Sequence, residues 1–120
     1  AIRVRKVLGG GMRQAGFLAA AGIYALDHQL ERLSEDHKKA DEIGLLLNQL
    51  RFIKKVEPIE TNIIIFEIDE AIMSAETFVQ KLKDRNAHLI GMGQGKLRIV
   101  THLDYSDDQH TEFLKILNNL

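Results

Sequence analysis

The run Lys6-Val7-Leu8-Gly9-Gly10-Gly11-Met12-Arg13-Gln14-Ala15-Gly16 constrains this chain more than any other stretch. Its three consecutive glycines part a basic, apolar helix end from a second helix built of small residues, predicted from Met12 to about Leu26. Glycine takes backbone angles closed to other residues and lets a ligand or another backbone come close. A helix that starts after such a run has unpaired amide N–H groups and a partial positive charge at its first turn, which suits an anion. Arg13 is expected in that first turn, with Arg3, Arg5 and Lys6 just ahead of the glycines. These are groups for a phosphate or a carboxylate. The chain opens at Ala1 in the middle of an amphipathic pattern, with no capping residue and no start methionine, so it reads as a piece of a longer protein.

From Met12 to Leu26 nearly every residue is Ala, Gly or apolar. A helix apolar all round is buried on all its faces. The few elements of this chain can hardly surround it, so a missing domain or a second subunit is expected to cover it. Leu26, Leu30, Leu33, Ala40, Ile43, Leu46, Leu47 and Leu50 then recur at helical spacing, with charged residues opposite. They predict an amphipathic helix, bent near Asp27-His28-Gln29, that lies on a surface.

Strand signals follow. Phe52–Val56 and Asn62–Ile68 are rich in β-branched residues and are joined by the turn-like Glu57-Pro58-Ile59-Glu60-Thr61. Ser74 is placed to cap a helix through about Arg85 with Phe78, Leu82 and Val79 inward. His88-Leu89-Ile90 and Lys96–Val100 read as two strands around Gly91–Gly95, a mobile hairpin. Ser106 and Gln109 form a capping box for a last helix with Phe113, Leu114 and Leu117 inward. The order strand, strand, helix, strand, strand, helix predicts an α+β fold: an antiparallel sheet of three or four strands with helices on one face, preceded by two helices.

Composition narrows the function. A net charge of −1 argues against a nucleic-acid binder, and aromatic residues at 6% without tryptophan argue against a base-stacking platform. No apolar run approaches the length of a membrane span. The absence of cysteine excludes disulfides, thiolate metal sites and a cysteine nucleophile, and it fits a cytoplasmic protein.

Three features are candidates for chemistry. Gly91-Met92-Gly93-Gln94-Gly95-Lys96 invites a phosphate-loop reading, but a strand follows it and no Ser or Thr succeeds the lysine. The five histidines show no metal-ligand grouping; His28, His37 and His110 read as surface helix residues, and His88 and His102, at strand ends, face either way. No metal site is expected. Arg98 alternates with Leu97 and Ile99. It belongs either to an exposed outer face or to a site where its guanidinium takes a carboxylate or phosphate in bidentate fashion.

The segments Arg5–Gly16 and Leu18–Leu26, with Leu97-Arg98-Ile99-Val100-Thr101-His102-Leu103-Asp104 near the other end, closely resemble low-specificity L-threonine aldolases. The resemblance implies the C-terminal portion of an enzyme that uses pyridoxal phosphate, in the fold that includes aspartate aminotransferase. It implies cleavage of β-hydroxy-α-amino acids, L-threonine or L-allo-threonine, to glycine and an aldehyde. Residues 1–28 would be the end of the large domain and an interdomain helix, and 29–120 the small α/β domain. Arg98 would hold the substrate α-carboxylate, and Lys6 and Arg13 would lie near the cofactor phosphate or the substrate, across a subunit boundary. The partners implied are the protein's own N-terminal large domain and further copies in a dimer or tetramer. The Schiff-base lysine of the family has no counterpart here, so the chain alone is expected to be inactive. Two other readings stand beside this one. One is another amino-acid lyase of the same β-eliminating group. The other is a stand-alone small α/β module that binds or senses an amino acid, against which the all-apolar helix speaks.

Overall fold

Where the sequence places a glycine run, the backbone turns. A computed structural model describes residues 1–120, with every side chain except that of Ile90. The chain divides into two compact units, Ala1–Arg32 and Leu33–Leu120.

In the first unit α1 (Ile2–Val7) ends at Leu8, and Gly9 follows at φ +86°, a conformation that a side chain would strain. Helix α2 (Gly16–His28) begins later than the Met12 expected from sequence. Arg13 is therefore outside its first turn: Gln14, at φ +54°, takes the chain off the helical path just ahead of the N-cap Ala15. The large apolar side chains of α2, among them Phe17 and Leu26, are exposed.

The amphipathic stretch from Leu26 to Leu50 is interrupted rather than bent. Turn residues 29–32 separate α2 from α3 (Leu33–Leu47). The two helices share no stripe, since α3 buries Ala40, Ile43 and Leu47 in the second unit's core while α2 buries nothing.

The second unit continues with β1 (Ile53–Val56), β2 (Ile63–Ile68), α4 (Ala75–Lys83), β3 (Ile90–Gly93), β4 (Lys96–Val100) and α5 (Asp107–Asn118). The strands form one antiparallel sheet in the order β1-β2-β4-β3. β2 and β4 pair from Ile63↔Val100 to Glu67↔Lys96, so their side chains alternate in phase. Ile64, Phe66 and Ile68 with Leu97 and Ile99 point to one face, where Ile43, Leu47, Phe78, Leu82 and Leu117 of the three helices complete the core. Phe78 is its hub, edge-on to Phe66 (centroids 5.9 Å apart) and tilted against Phe52 (5.7 Å). The other face carries Ile63, Ile65, Glu67, Lys96, Arg98 and Val100.

Helix caps follow the sequence. The Ser74 side chain accepts from the Thr77 N–H, and Ser106 and Gln109 exchange both bonds of a capping box. The glycine-rich hairpin differs. β3 begins at Ile90, leaving His88 and Leu89 outside the strand, and runs to Gly93, because Ile90, Gly91 and Gly93 pair with Arg98, Leu97 and Lys96. The connection then shrinks to Gln94 (φ +54°) and Gly95 (φ +72°), the positive angles of a two-residue type I′ turn. Among the described residues no helix is long and apolar enough to cross a membrane.

Candidate functional site

Arg98 stands outward on β4, between buried Leu97 and Ile99 and opposite Ile65 of β2. Among the described residues its guanidinium has no ion-pair partner. It lines a groove of about 820 Å³ together with His88, Met92, Val100, His102 and Tyr105. The groove has the size range of small-ligand sites. A free guanidinium there presents a planar fork of donors that matches a carboxylate.

The strand that carries Arg98 is held beyond its last residue. Thr101, fully buried, donates its N–H to the Asn62 carbonyl (3.0 Å) and its hydroxyl to the Asp36 carbonyl on α3 (2.7 Å). The Asn62 amide donates in turn to the Thr101 carbonyl (2.6 Å). The segment after β4 is anchored twice more to α3. The Lys39 ammonium donates to the Tyr105 carbonyl (2.8 Å) and pairs with Asp107 (2.7 Å). His110 Nε2 meets the Glu42 carboxylate at 2.8 Å while its Nδ1 meets the Tyr105 hydroxyl at 3.2 Å. His110 is thus no surface residue, as its sequence position suggested, but only 7% exposed. Both of its ring nitrogens are satisfied, which is what burial of an imidazole requires.

Two ionisable groups of this segment are shifted. Burial pushes the Tyr105 phenol up to about 12, because the charged phenolate loses water. The hydrogen bond from Lys39, and its charge, hold the Asp107 carboxyl below its ordinary value. On the open sheet face the Lys54 ammonium pairs with Glu67, whose carboxyl is lowered by that hydrogen bond.

Of the residues singled out from sequence, Arg98 is in this groove, whereas Lys6 (at the end of α1) and Arg13 (just before α2) are exposed residues of the other unit. His88 and His102 both reach the groove; His28 is exposed on α2. Thr101 was passed over, although the alternation Leu97, Ile99, Thr101 inward and Arg98, Val100, His102 outward extends one step past β4. Among the described residues no group of three or more His, Asp or Glu could hold a metal ion.

Residues 1–71 match the family model described as Beta-eliminating lyase. Low-specificity L-threonine aldolase 1 of Arabidopsis thaliana is 41% identical over 101 residues, which cover 82% of this chain and 28% of that protein. The low specificity L-threonine aldolase of Escherichia coli (strain K12) is 43% identical over 113 residues, covering 93% of this chain and 32% of that protein. The chain therefore spans less than a third of the length of these curated relatives. Among solved structures, L-threonine-O-3-phosphate decarboxylase from Porphyromonas gingivalis matches 82% of this chain and 32% of its own, with TM-score 0.60 and 17% identity. Histidinol-phosphate aminotransferase from Clostridium acetobutylicum matches 73% and 27%, with TM-score 0.53 and 22% identity. At such identities the likeness is one of fold, and the fold is aminotransferase-like.

Proposed function

This chain belongs to the beta-eliminating lyase family, and from that we propose that it forms the C-terminal part of a pyridoxal-phosphate aldolase. The complete protein would cleave β-hydroxy-α-amino acids, L-threonine or L-allo-threonine, to glycine and an aldehyde. The observation that carries the reading is Arg98. Its guanidinium, without an ion-pair partner among the described residues, lies in a ligand-sized groove, in a chain 43% identical to the Escherichia coli low specificity L-threonine aldolase. The fork takes the substrate α-carboxylate through two parallel charge-assisted hydrogen bonds and so orients the Cα–Cβ bond to be broken.

The residues present fit part of a pyridoxal-phosphate site. Lys6 and Arg13 are exposed cations on either side of the glycines, the donor type that a phosphate takes. They serve the cofactor phosphate or the substrate across a subunit boundary in a dimer or tetramer. The cofactor, when bound, supplies the electron sink for the breaking bond. The lysine that would hold it covalently is assigned to the protein's large domain, with residues 1–28 as the large domain's end and 29–120 as the small domain. The chain by itself is then inactive, and the whole enzyme cytoplasmic. The test is glycine and acetaldehyde release from L-threonine and L-allo-threonine by the complete protein loaded with pyridoxal phosphate. Equal amounts of the two products are expected. No glycine from either substrate, or glycine release by the chain alone, refutes the proposal.

A further inference from the structure

At the edge of the sheet β4 outruns its neighbour. It continues to Val100, but its pairing with β3 starts only at Ile90↔Arg98. Thr101 donates its N–H to Asn62 on the β2 side, and successive residues of a strand direct their backbone groups to alternate sides. The N–H and C=O of Val100 therefore point to the β3 side, where, among the described residues, no strand residue meets them. Val100 lines the groove.

The residues that would meet these groups are at hand. The register that pairs Ile90 with Arg98 and Gly91 with Leu97 runs on to set Leu89 opposite Ile99 and His88 opposite Val100. His88 and Leu89 line the same groove. Among the described residues neither takes part in a backbone hydrogen bond. Their side chains already suit a strand: Leu89 packs on the core, the side to which Ile99 points, and His88 is exposed as Val100 is. The stretch is also short and held at both ends. Ala87 donates its N–H to the Leu82 carbonyl (3.0 Å) just after Asn86 at φ +60°, and Ile90 opens β3. Pairing gains the two hydrogen bonds of one facing pair and costs the ordering of two residues. These contributions are of similar size, so the stretch stands near balance between free and paired.

We propose that His88 and Leu89 form a strap that zips onto the free edge of β4, His88 exchanging both backbone hydrogen bonds with Val100, and so moves one wall of the groove. This goes beyond the proposed activity and does not depend on it.

A disulfide traps the paired form. In the complete protein, His88→Cys with Val100→Cys puts thiols at facing positions of a hydrogen-bonded pair, whose Cα atoms lie about 5.5 Å apart, within a disulfide's span. Oxidised glutathione is expected to join them, traced by the mass of the linked peptide. In the joined protein, hydrogen exchange at the Val100 amide should slow at least about tenfold against the reduced form. The melting temperature should not fall, since an unstrained closure carries no cost of distortion. His88 and Val100 are exposed, so both substitutions leave the core untouched. Ala87→Cys with Val100→Cys is the off-register control: one residue out, the thiols lie on opposite faces of the sheet, and little linkage is expected. Failure of positions 88 and 100 to link, or equal linkage of the off-register pair, overturns the inference. So does linkage that leaves Val100 exchange unchanged or lowers the melting temperature. None of these measurements uses turnover, so the assignment of the activity stands or falls separately.

Discussion

Replacing Arg98 by leucine separates the two accounts of an outward arginine. If the residue only decorates a solvated sheet face, the change does almost nothing. The core contacts of β4 belong to Leu97 and Ile99, which point the other way, so stability should move by less than about 0.5 kcal/mol. If the guanidinium takes the substrate carboxylate, the variant forfeits hydrogen bonds to a charged group, together about 1.5–3 kcal/mol. At 1.4 kcal/mol per factor of ten, that predicts a KM for L-threonine raised roughly 10- to 150-fold. Steady-state cleavage by the complete protein measures the KM, and urea denaturation of the same variant measures the stability. Arg98→Lys should recover only part of the loss, because an ammonium is a point charge and cannot match both carboxylate oxygens. A KM within about threefold of the unsubstituted protein would refute the carboxylate assignment. A large fall in stability would show that the exposed-face geometry is wrong.

Two further outcomes test the fold beneath the groove. Phe78→Ala, which removes the ring packed between Phe66 and Phe52, should cost about 3–5 kcal/mol of the roughly 5–15 available to a domain of this kind. A urea midpoint that hardly shifts would mean that the α4 packing is not as described. The raised phenol of Tyr105 predicts an alkaline limit. A folded-state value above the unfolded one, about 12 against about 10, leaves stability intact below pH 10 and removes it as the pH rises toward 12. Melting temperatures measured across that range should fall less in Tyr105→Phe than in the unsubstituted chain; equal curves would count against the burial argument.

Much of this could be read along the chain because its causes are local. A capping box needs only Ser106 and Gln109 three residues apart, and it forms as spaced. The alternation in Lys96–Val100 needs only the pleat of one strand, and it put Leu97 and Ile99 inward and Arg98 outward. Where the reading failed, a distant partner decided. The extent of β3, from Ile90 to Gly93, is set by pairing to Arg98, Leu97 and Lys96 on β4, not by the conformational freedom of Gly91. His110 sits on a helix face of ordinary polarity, and its burial follows from Glu42, 68 residues earlier in the chain.

The residue types of this chain by themselves determined a four-element vocabulary of helix, strand, turn and cap, the order of those pieces, and the family to which they point. Short-range sterics and hydrogen bonding act over three or four residues, and sequence records them directly. Only the tertiary structure decided that α3 would offer Asp36, Lys39 and Glu42 as anchors for the segment after β4. It also decided that Arg98 and His102 would share one groove. Those arrangements arise when apolar faces separated by dozens of residues bury one another, and their polar neighbours must then find partners in whatever place that packing has left them.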